Sequence, residues 1–286
     1  MNRPEEIKAR LDNISQIEGI VGALRAIAAG HQQEARHHLD AVRAHEATVA
    51  GALARALATG PAPAPGLRVG GRALLIVAGA AQGFSGDYSD QISEAALSGQ
   101  TADLDLMVVG HRTLQTLTAE AAPDTVVWSA DMAPHMAEIP ALASRTVDAA
   151  LSLVARGSHD RIAILFADAE PQGQRLIRRT LVPFDFGRFP PHPGSRPQTT
   201  LARPELLAAL AEEYVFAEVC EALVLGFASE SAARAAAMGR AQTNVRRISG
   251  DLTRQFNQAR QEQMTTEIIE LSTNRREPGR TERPPG

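Results

Sequence analysis

The sequence predicts an α/β fold in which two very long terminal helices, wound antiparallel as a coiled coil, enclose an alternating α/β middle. Three observations predict it. Proline is absent from about Glu5 to Thr59 and again after Pro204 to about Ser272, and both stretches are rich in good helix formers. Each carries an apolar stripe seven residues apart. Between them the pattern changes to short β-rich runs alternating with helical ones.

In the first stretch the stripe runs Ile7, Ile14, Val21, Ala28, Ala35, Val42, Val49 and Ala56. About 50 helical residues would span roughly 80 Å, too long for an ordinary globular helix. Pro61-Ala62-Pro63-Ala64-Pro65-Gly66 then forms a stiff break. Strands are expected at Ala73–Ala78, Leu104–Val109, Thr125–Trp128 and Ile162–Ala167, with a further one over Gln174–Pro183. Helices are expected near Asp87–Leu97, Arg112–Ala121 and Met136–Arg156. A Pro-rich loop from Phe189 to Pro204 feeds the last helix. Its seam reads Leu210, Ala217, Val224, Ser231, Met238, Val245, Leu252 and Ala259, with Phe227, Ala241 and Ile248 at alternate positions; Gly226, Gly239 and Gly250 mark bends or close contacts. The expected division is a helix over 1–60, an α/β domain over 61–203, a helix over 204–272 and a disordered polar tail over 273–286.

Composition narrows the function classes. With 286 residues, 44% of them apolar, the chain can bury a real core. The longest uncharged apolar stretch, near Ala73–Ala81, is far short of the roughly 20 residues a membrane span needs. The charged start, Met1-Asn2-Arg3-Pro4-Glu5-Glu6, lacks a secretory signal's apolar core, so a cytoplasmic location is expected. The lone Cys220 excludes an intrachain disulfide and a cysteine-cluster metal site. A net charge of −4 makes no broad case for nucleic acid, and proteins are the expected partners.

The chemical motifs fail their tests. Gly79-Ala80-Ala81-Gln82-Gly83-Phe84-Ser85-Gly86 follows a strand and precedes a helix, yet it has neither the dinucleotide G-x-G-x-x-G nor the lysine of a P-loop. It reads as a structural turn rather than a phosphate cradle. None of His31, His37, His38 and His45 stands four residues from another, so no pair shares a helix face for a metal. Asp103 and Asp105 read as loop or edge charges, and no nucleophile and base come together. No catalytic residue, metal or cofactor is expected.

The last helix carries the informative run. Ser229-Glu230-Ser231-Ala232-Ala233-Arg234 is followed by Ala237-Met238, Ala241, Asn244, Leu252, Asn257-Gln258-Ala259-Arg260-Gln261 and Thr266-Glu267-Ile268-Ile269-Glu270. This resembles the C-terminal signature of gamma subunits of rotary (F-type) ATP synthases. At the other end Ile7, Arg10, Ile14, Ile20, Ala23-Leu24 and Ile27-Ala28-Ala29 resemble the family's first helix, and Gly83-Phe84-Ser85-Gly86 its loop after the first strand. Ala80-Ala81-Gln82 stands where the family has Thr-Asp-Arg, and Val21-Gly22 where it has Thr-Lys, which suggests a divergent, alternative subgroup.

The resemblance implies a non-catalytic central shaft: a coiled coil of the terminal helices and a Rossmann-like α/β base. It implies as partners the alpha and beta subunits of the catalytic head, the epsilon subunit and the membrane c-ring, with membrane contact only indirect, at the cytoplasmic face of the inner membrane. Arg260 and Gln261 match positions that hydrogen-bond an acidic loop of a catalytic subunit, with Leu24 nearby on the first helix. Ser229, Glu230 and Arg234 match a junction with the base, and the loop from Gln198 to Arg203 is the candidate for the ion-carrying ring. A free-standing α/β enzyme and an unrelated coiled-coil scaffold are the competing readings.

Overall fold

The computed structural model describes residues 4–60, 71–98, 103–122, 124–170, 173–190 and 198–274. The Pro61–Gly66 break, much of the Pro-rich loop and nearly all of the polar tail lie outside them. Two helices dominate: α1 (Pro4–Leu57, 54 residues) and α5 (Arg203–Asn274, 72 residues). The chain divides into two compact units, one of Met1–Arg25 with Met238–Gly286, the other Ala26–Ala237.

In the first unit the two helices pack along the expected stripes. Ile7 and Val21 of α1 and Met238 and Val245 of α5 are buried, and Ile14, Ala241, Ile248 and Leu252 are half-buried between them. Two cross-helix pairs fix the direction. Arg25 Nη1 donates to Gln242 Oε1 at 3.0 Å, and Arg246 Nε donates to Glu18 Oε1 at 2.8 Å, so the helices run antiparallel. The stripe on each helix is narrow because a two-helix pair buries one face only. From Arg260 to Ser272 every residue of α5 is exposed.

The second unit is built on a five-stranded sheet of β1 (Arg72–Ala78), β2 (Leu104–Val109), β3 (Val126–Ala130), β4 (His159–Glu170) and β5 (Gly173–Val182), in the order β3-β2-β1-β4-β5. The first four are parallel and β5 pairs antiparallel with β4. β2 is buried at every position and β1 at its last five, as strands covered on both faces must be. The edge strands β3 and β5 alternate in burial instead. Alternation along β1 divides the core. Leu75 and Val77 face α2 (Tyr88–Leu97) and α3 (His111–Glu120); Leu74, Ile76 and Ala78 face α4 (Ile139–Ala155), α5 and, through Ala35, α1.

Every expected strand and helix of the middle is present, with shifted ends. β4 runs 12 residues where six were expected, because pairing with β1 extends it at its start and pairing with β5 at its end, beyond its apolar run. The Met136–Arg156 helix begins instead with a 3-10 turn, Met136–Glu138, before α4. A third cluster closes the end of the unit: Val49, Leu53, Ala56 and Leu57 of α1 pack on Phe189, Leu207 and Tyr214. There Phe189 meets Tyr214 edge-on, with ring centroids 4.8 Å apart.

Asp105 corrects the sequence reading, since it is a buried side chain and not an edge charge. Arg72 holds it with two hydrogen bonds, and His159 Nε2 lies 2.8 Å from Oδ2. Burial pushes the carboxyl up, but the hydrogen bonds from Arg72 and His159 and their charges outweigh it, leaving it below the ordinary carboxylate range. A depressed folded value adds stability above the unfolded value, about pH 4, and that stability is lost as pH falls through the folded value. Asp105→Asn should therefore lower unfolding free energy by about 1–3 kcal/mol at neutral pH. Urea titrations should show the gap to the wild type closing as pH drops below about 4.

Candidate functional site

The strand order reverses direction at β1, whose neighbours are β2 and β4. Open α/β sheets bind ligands in the crevice outside the strand ends at such a point. Here the chain's own α5 fills it. Gly226 lies against the end of β1: a Cβ there would stand 3.3 Å from both Ala78 O and Ala78 Cβ. Tyr88 Oη, fully buried, donates to Gly226 O at 3.0 Å. Ser229 Oγ donates to Ala167 O of β4 at 2.9 Å, and Gln174 Nε2 of β5 donates to Ser229 O at 3.2 Å.

Glu230 completes the closure. The residue is only 2% exposed, and its carboxylate accepts from Ala81 N at 3.0 Å and Gln82 N at 3.1 Å. These amides belong to the loop between β1 and α2, where a phosphate cradle would have stood. Arg234, one helical turn on, hydrogen-bonds Glu230 and donates to Gly83 O at 3.2 Å and Gln82 O at 3.4 Å. The anion that the loop can hold is thus a side chain of the protein.

The same loop is pinned from the other side. Ala80 N donates to Thr113 Oγ1 at 2.8 Å, and Ala80 O accepts from Arg112 N at 3.0 Å. Gly79 and Gly110 make this possible. A Cβ on Gly79 would lie 2.4 Å from Thr113, and Gly110, at φ +115°, would bring one within 2.6 Å of Ala80 O. Between the two clamps Phe84 adopts φ +63° and is 71% exposed, a strained conformation for a bulky residue that the fixed loop imposes.

A second polar group lies where α5 is buried between α1 and β5. Glu221 accepts from Arg43 Nε at 2.9 Å and Arg179 Nη1 at 2.8 Å; Glu218 accepts from Arg188 Nη2 at 2.8 Å; Tyr214 Oη donates to Glu46 at 2.6 Å. Burial pushes Glu221 up, but its two arginines bring it below the ordinary range. Burial wins at Glu218, whose carboxyl stays raised despite Arg188. Cys220, between them, is pushed up to about 12 by burial and, less, by Glu213, so its thiol is inert.

Sequence reading missed a Ser-His-Asp line. Ser158 Oγ is 3.0 Å from His159 Nδ1, whose ring continues to Asp105. It is no nucleophile: the hydroxyl donates to Leu153 O at 2.8 Å, and His159 and Asp105 are buried. The helical histidines serve packing and polar contacts: His31 packs on Phe227, His37 meets His38 edge-on, His38 Nδ1 meets Glu34 O and His45 meets Glu213. Among the described residues no three His, Cys, Asp or Glu side chains stand close enough to share a metal, and no helix is long and apolar enough to cross a membrane.

Of the remaining sequence-derived positions, Arg260 and Gln261 are exposed on α5 and Leu24 is half-buried on α1. Leu24 is not near them. Its neighbour Arg25 pairs with Gln242, and Arg260 lies 18 residues further along α5, roughly 27 Å at 1.5 Å per residue. Leu24 instead continues a stripe with Ile17 and Ile20, both exposed, at the spacing of one helix face. Met264, Ile268 and Leu271 are exposed on α5. Gln198 is exposed, whereas Arg203 Nε donates to Thr59 Oγ1 at 3.0 Å and Nη2 to Gly60 O at 2.9 Å, tying the start of α5 to the end of α1.

Two long terminal helices, antiparallel where they pair, and an α/β sheet whose switch-point crevice is filled by the chain's own α5 define the class of fold. Residues 3–274 match the ATP synthase family. The ATP synthase gamma chain of Cyanothece sp. is 27% identical over 93% of this chain and 96% of its own length, and that of Geotalea daltonii 24% over the same shares. The rotor of the Euglena gracilis mitochondrial ATP synthase superposes with a TM-score of 0.65 at 14% identity, covering 91% of this chain and 98% of that one. The central stalk of the Tetrahymena thermophila mitochondrial enzyme gives 0.55 at 17%, covering 78% and 99%. The chain belongs to the ATP synthase gamma-chain family.

Glu230→Ala should leave two loop amides unpaired and Arg234 without its carboxylate. Hydrogen exchange at Ala81 and Gln82 should accelerate, and urea unfolding should report a loss of about 2–4 kcal/mol.

Proposed function

We propose that this chain is the central-stalk gamma subunit of an F-type ATP synthase, a non-catalytic rotor shaft that couples transmembrane ion flow to ATP chemistry in a surrounding head. The observation that carries the reading is the combination of a family match over residues 3–274 with a ligand crevice filled by α5.

In this reading the terminal helices form a coiled-coil axle and the middle a Rossmann-like base, with divisions near residues 60, 203 and 272. The axle stands in a ring of alpha and beta subunits, while the base meets the epsilon subunit and the membrane c-ring at the cytoplasmic face of the inner membrane, touching the bilayer only through them. Nucleic acid has no part. A shaft with unlike faces biases equivalent catalytic sites toward different conformations, and turning it cycles those biases. Identities of 24–28% over nearly the whole chain support a divergent subgroup.

Arg260 and Gln261 supply polar contacts to a catalytic subunit, and the stripe holding Leu24 supplies apolar ones. Ser229, Glu230 and Arg234 join the shaft to the base. The segment of Gln198 and Arg203 faces the ion-carrying ring. A charge-assisted hydrogen bond is worth about 1.5–3 kcal/mol, so losing the Arg260 contact at the rate-limiting step slows turnover about tenfold or more. Arg260→Ala should lower coupled ATPase activity in the assembled complex. Turnover and coupling both equal to the wild type would reject the contact, and a chain that never co-purifies with head subunits would reject the shaft.

A further inference from the structure

The sheet of the second unit has two edges, and they are built differently. β5 carries Arg175, Arg178 and Arg179, with Arg175 paired to Asp168 and Glu170 across the hairpin. Charged side chains are a usual guard against unwanted strand pairing. β3 has no such guard. Its sequence, Val126-Val127-Trp128-Ser129-Ala130, contains no charge and no proline, it ends the strand order, and Val127 is 42% exposed with Ser129 also exposed. An uncharged, β-prone edge is a template for another strand.

Beside this edge runs an open groove of about 770 Å³ between β3 and α4. Trp128 and Leu142 give it an apolar lining, and its charged side chains are Asp131, Glu138 and Asp148 against a single arginine, Arg145, all four exposed. The balance is acidic.

We infer that β3 is a strand-addition site for an extended segment of another subunit of the same complex, one that carries lysine or arginine among apolar residues. This rests on the shaft reading above. Backbone pairing along Val126–Ala130 supplies the register, Trp128 takes an apolar side chain, and the carboxylates of Asp131, Glu138 and Asp148 select the charge. A second copy of this chain is the wrong occupant. Edge-to-edge pairing of two β3 strands would set one acidic groove beside another, and like charges in such proximity repel.

Hydrogen exchange of the full-length chain, alone and in the assembled ATP synthase, tests this. The outward amides of Val126–Ala130 should exchange at least about tenfold more slowly in the complex. Equal rates in a complex that has assembled would overturn the strand site and leave the shaft intact, while failure to assemble would remove both. Ser129→Cys bearing a photoactivatable crosslinker identifies the occupant, since the native Cys220 is buried. The expected adduct is one extended peptide of a different subunit with basic side chains; an adduct to a second gamma chain, or to an acidic peptide, overturns the assignment. Asp131→Lys with Glu138→Lys, both on exposed positions, should return the β3 amides toward their rate in the free chain. Protection that survives this reversal would overturn the charge selection.

Discussion

A carboxylate in the loop amides at the head of β1 is the contact on which the second unit depends. Every open parallel sheet leaves polar backbone groups at the ends of its strands, and these must be met by a ligand, by water or by the protein. In this chain they are met by α5. Glu230 satisfies the amides of Ala81 and Gln82, Ser229 satisfies the carbonyl of Ala167, and Tyr88 reaches back to Gly226 O. The helix therefore belongs to the sheet as firmly as a strand does. A force applied along or about α5 in this unit reaches β1, β4 and α2 through hydrogen bonds and close backbone packing, not through a flexible tether.

That role explains the composition of α5. Between Tyr214 and Ser231 almost every residue is buried, because the helix has α1 on one side and the sheet on the other. An all-round apolar sequence would bury well but would leave Arg43, Arg179 and Arg188 without partners. Glu218 and Glu221 take those guanidinium groups instead. Buried ion pairs contribute little net stability compared with apolar replacements, but removing one partner is costly. They make the packing of α1, β5 and α5 exacting rather than tight: only one rotation of α5 puts Glu221 between two arginines and Glu230 under the loop. For a part whose orientation carries the information, a single allowed rotation matters more than added stability.

The terminal helices were legible because a seven-residue stripe is a local property. Ile7, Val21, Ala28, Ala35, Val49 and Ala56 are all buried as their spacing requires. The strands of the middle were legible for the same reason, since unbroken apolar runs such as Leu104–Val109 are what a doubly covered strand needs. The contacts that close the crevice were not. Glu230 could be matched to a family position, but its partners at Ala81 and Gln82 are about 150 residues away and are backbone groups, which carry no side-chain signature. Asp105 was misjudged because a charge in an apolar strand looks like an edge until Arg72 and His159 are brought beside it. Leu24 and Arg260 were grouped through a shared likeness, and the pairing of Arg25 with Gln242 separates them. The positive φ of Phe84 likewise follows from clamps on either side of its loop, and nothing in Gly83-Phe84-Ser85 announces it.

The first unit poses the complementary problem. Two helices can bury only one stripe each, and small residues such as Ala241 and Gly22 let the backbones approach at the cost of apolar area. Such a pair is weakly held if it stands in water. Yet Ile17 and Ile20 on α1 are exposed, as are Met264, Ile268 and Leu271 on the stretch of α5 from Arg260 onward where every residue is exposed. Surface apolar residues scattered singly need no explanation, but a run of them on helices with a thin core does. In the proposed shaft, the surrounding head answers both needs at once, covering the exposed residues and holding the pair together. On that reading the first unit is the part whose order depends most on its partners, while the second unit, with its sheet and three buried clusters, carries its own core.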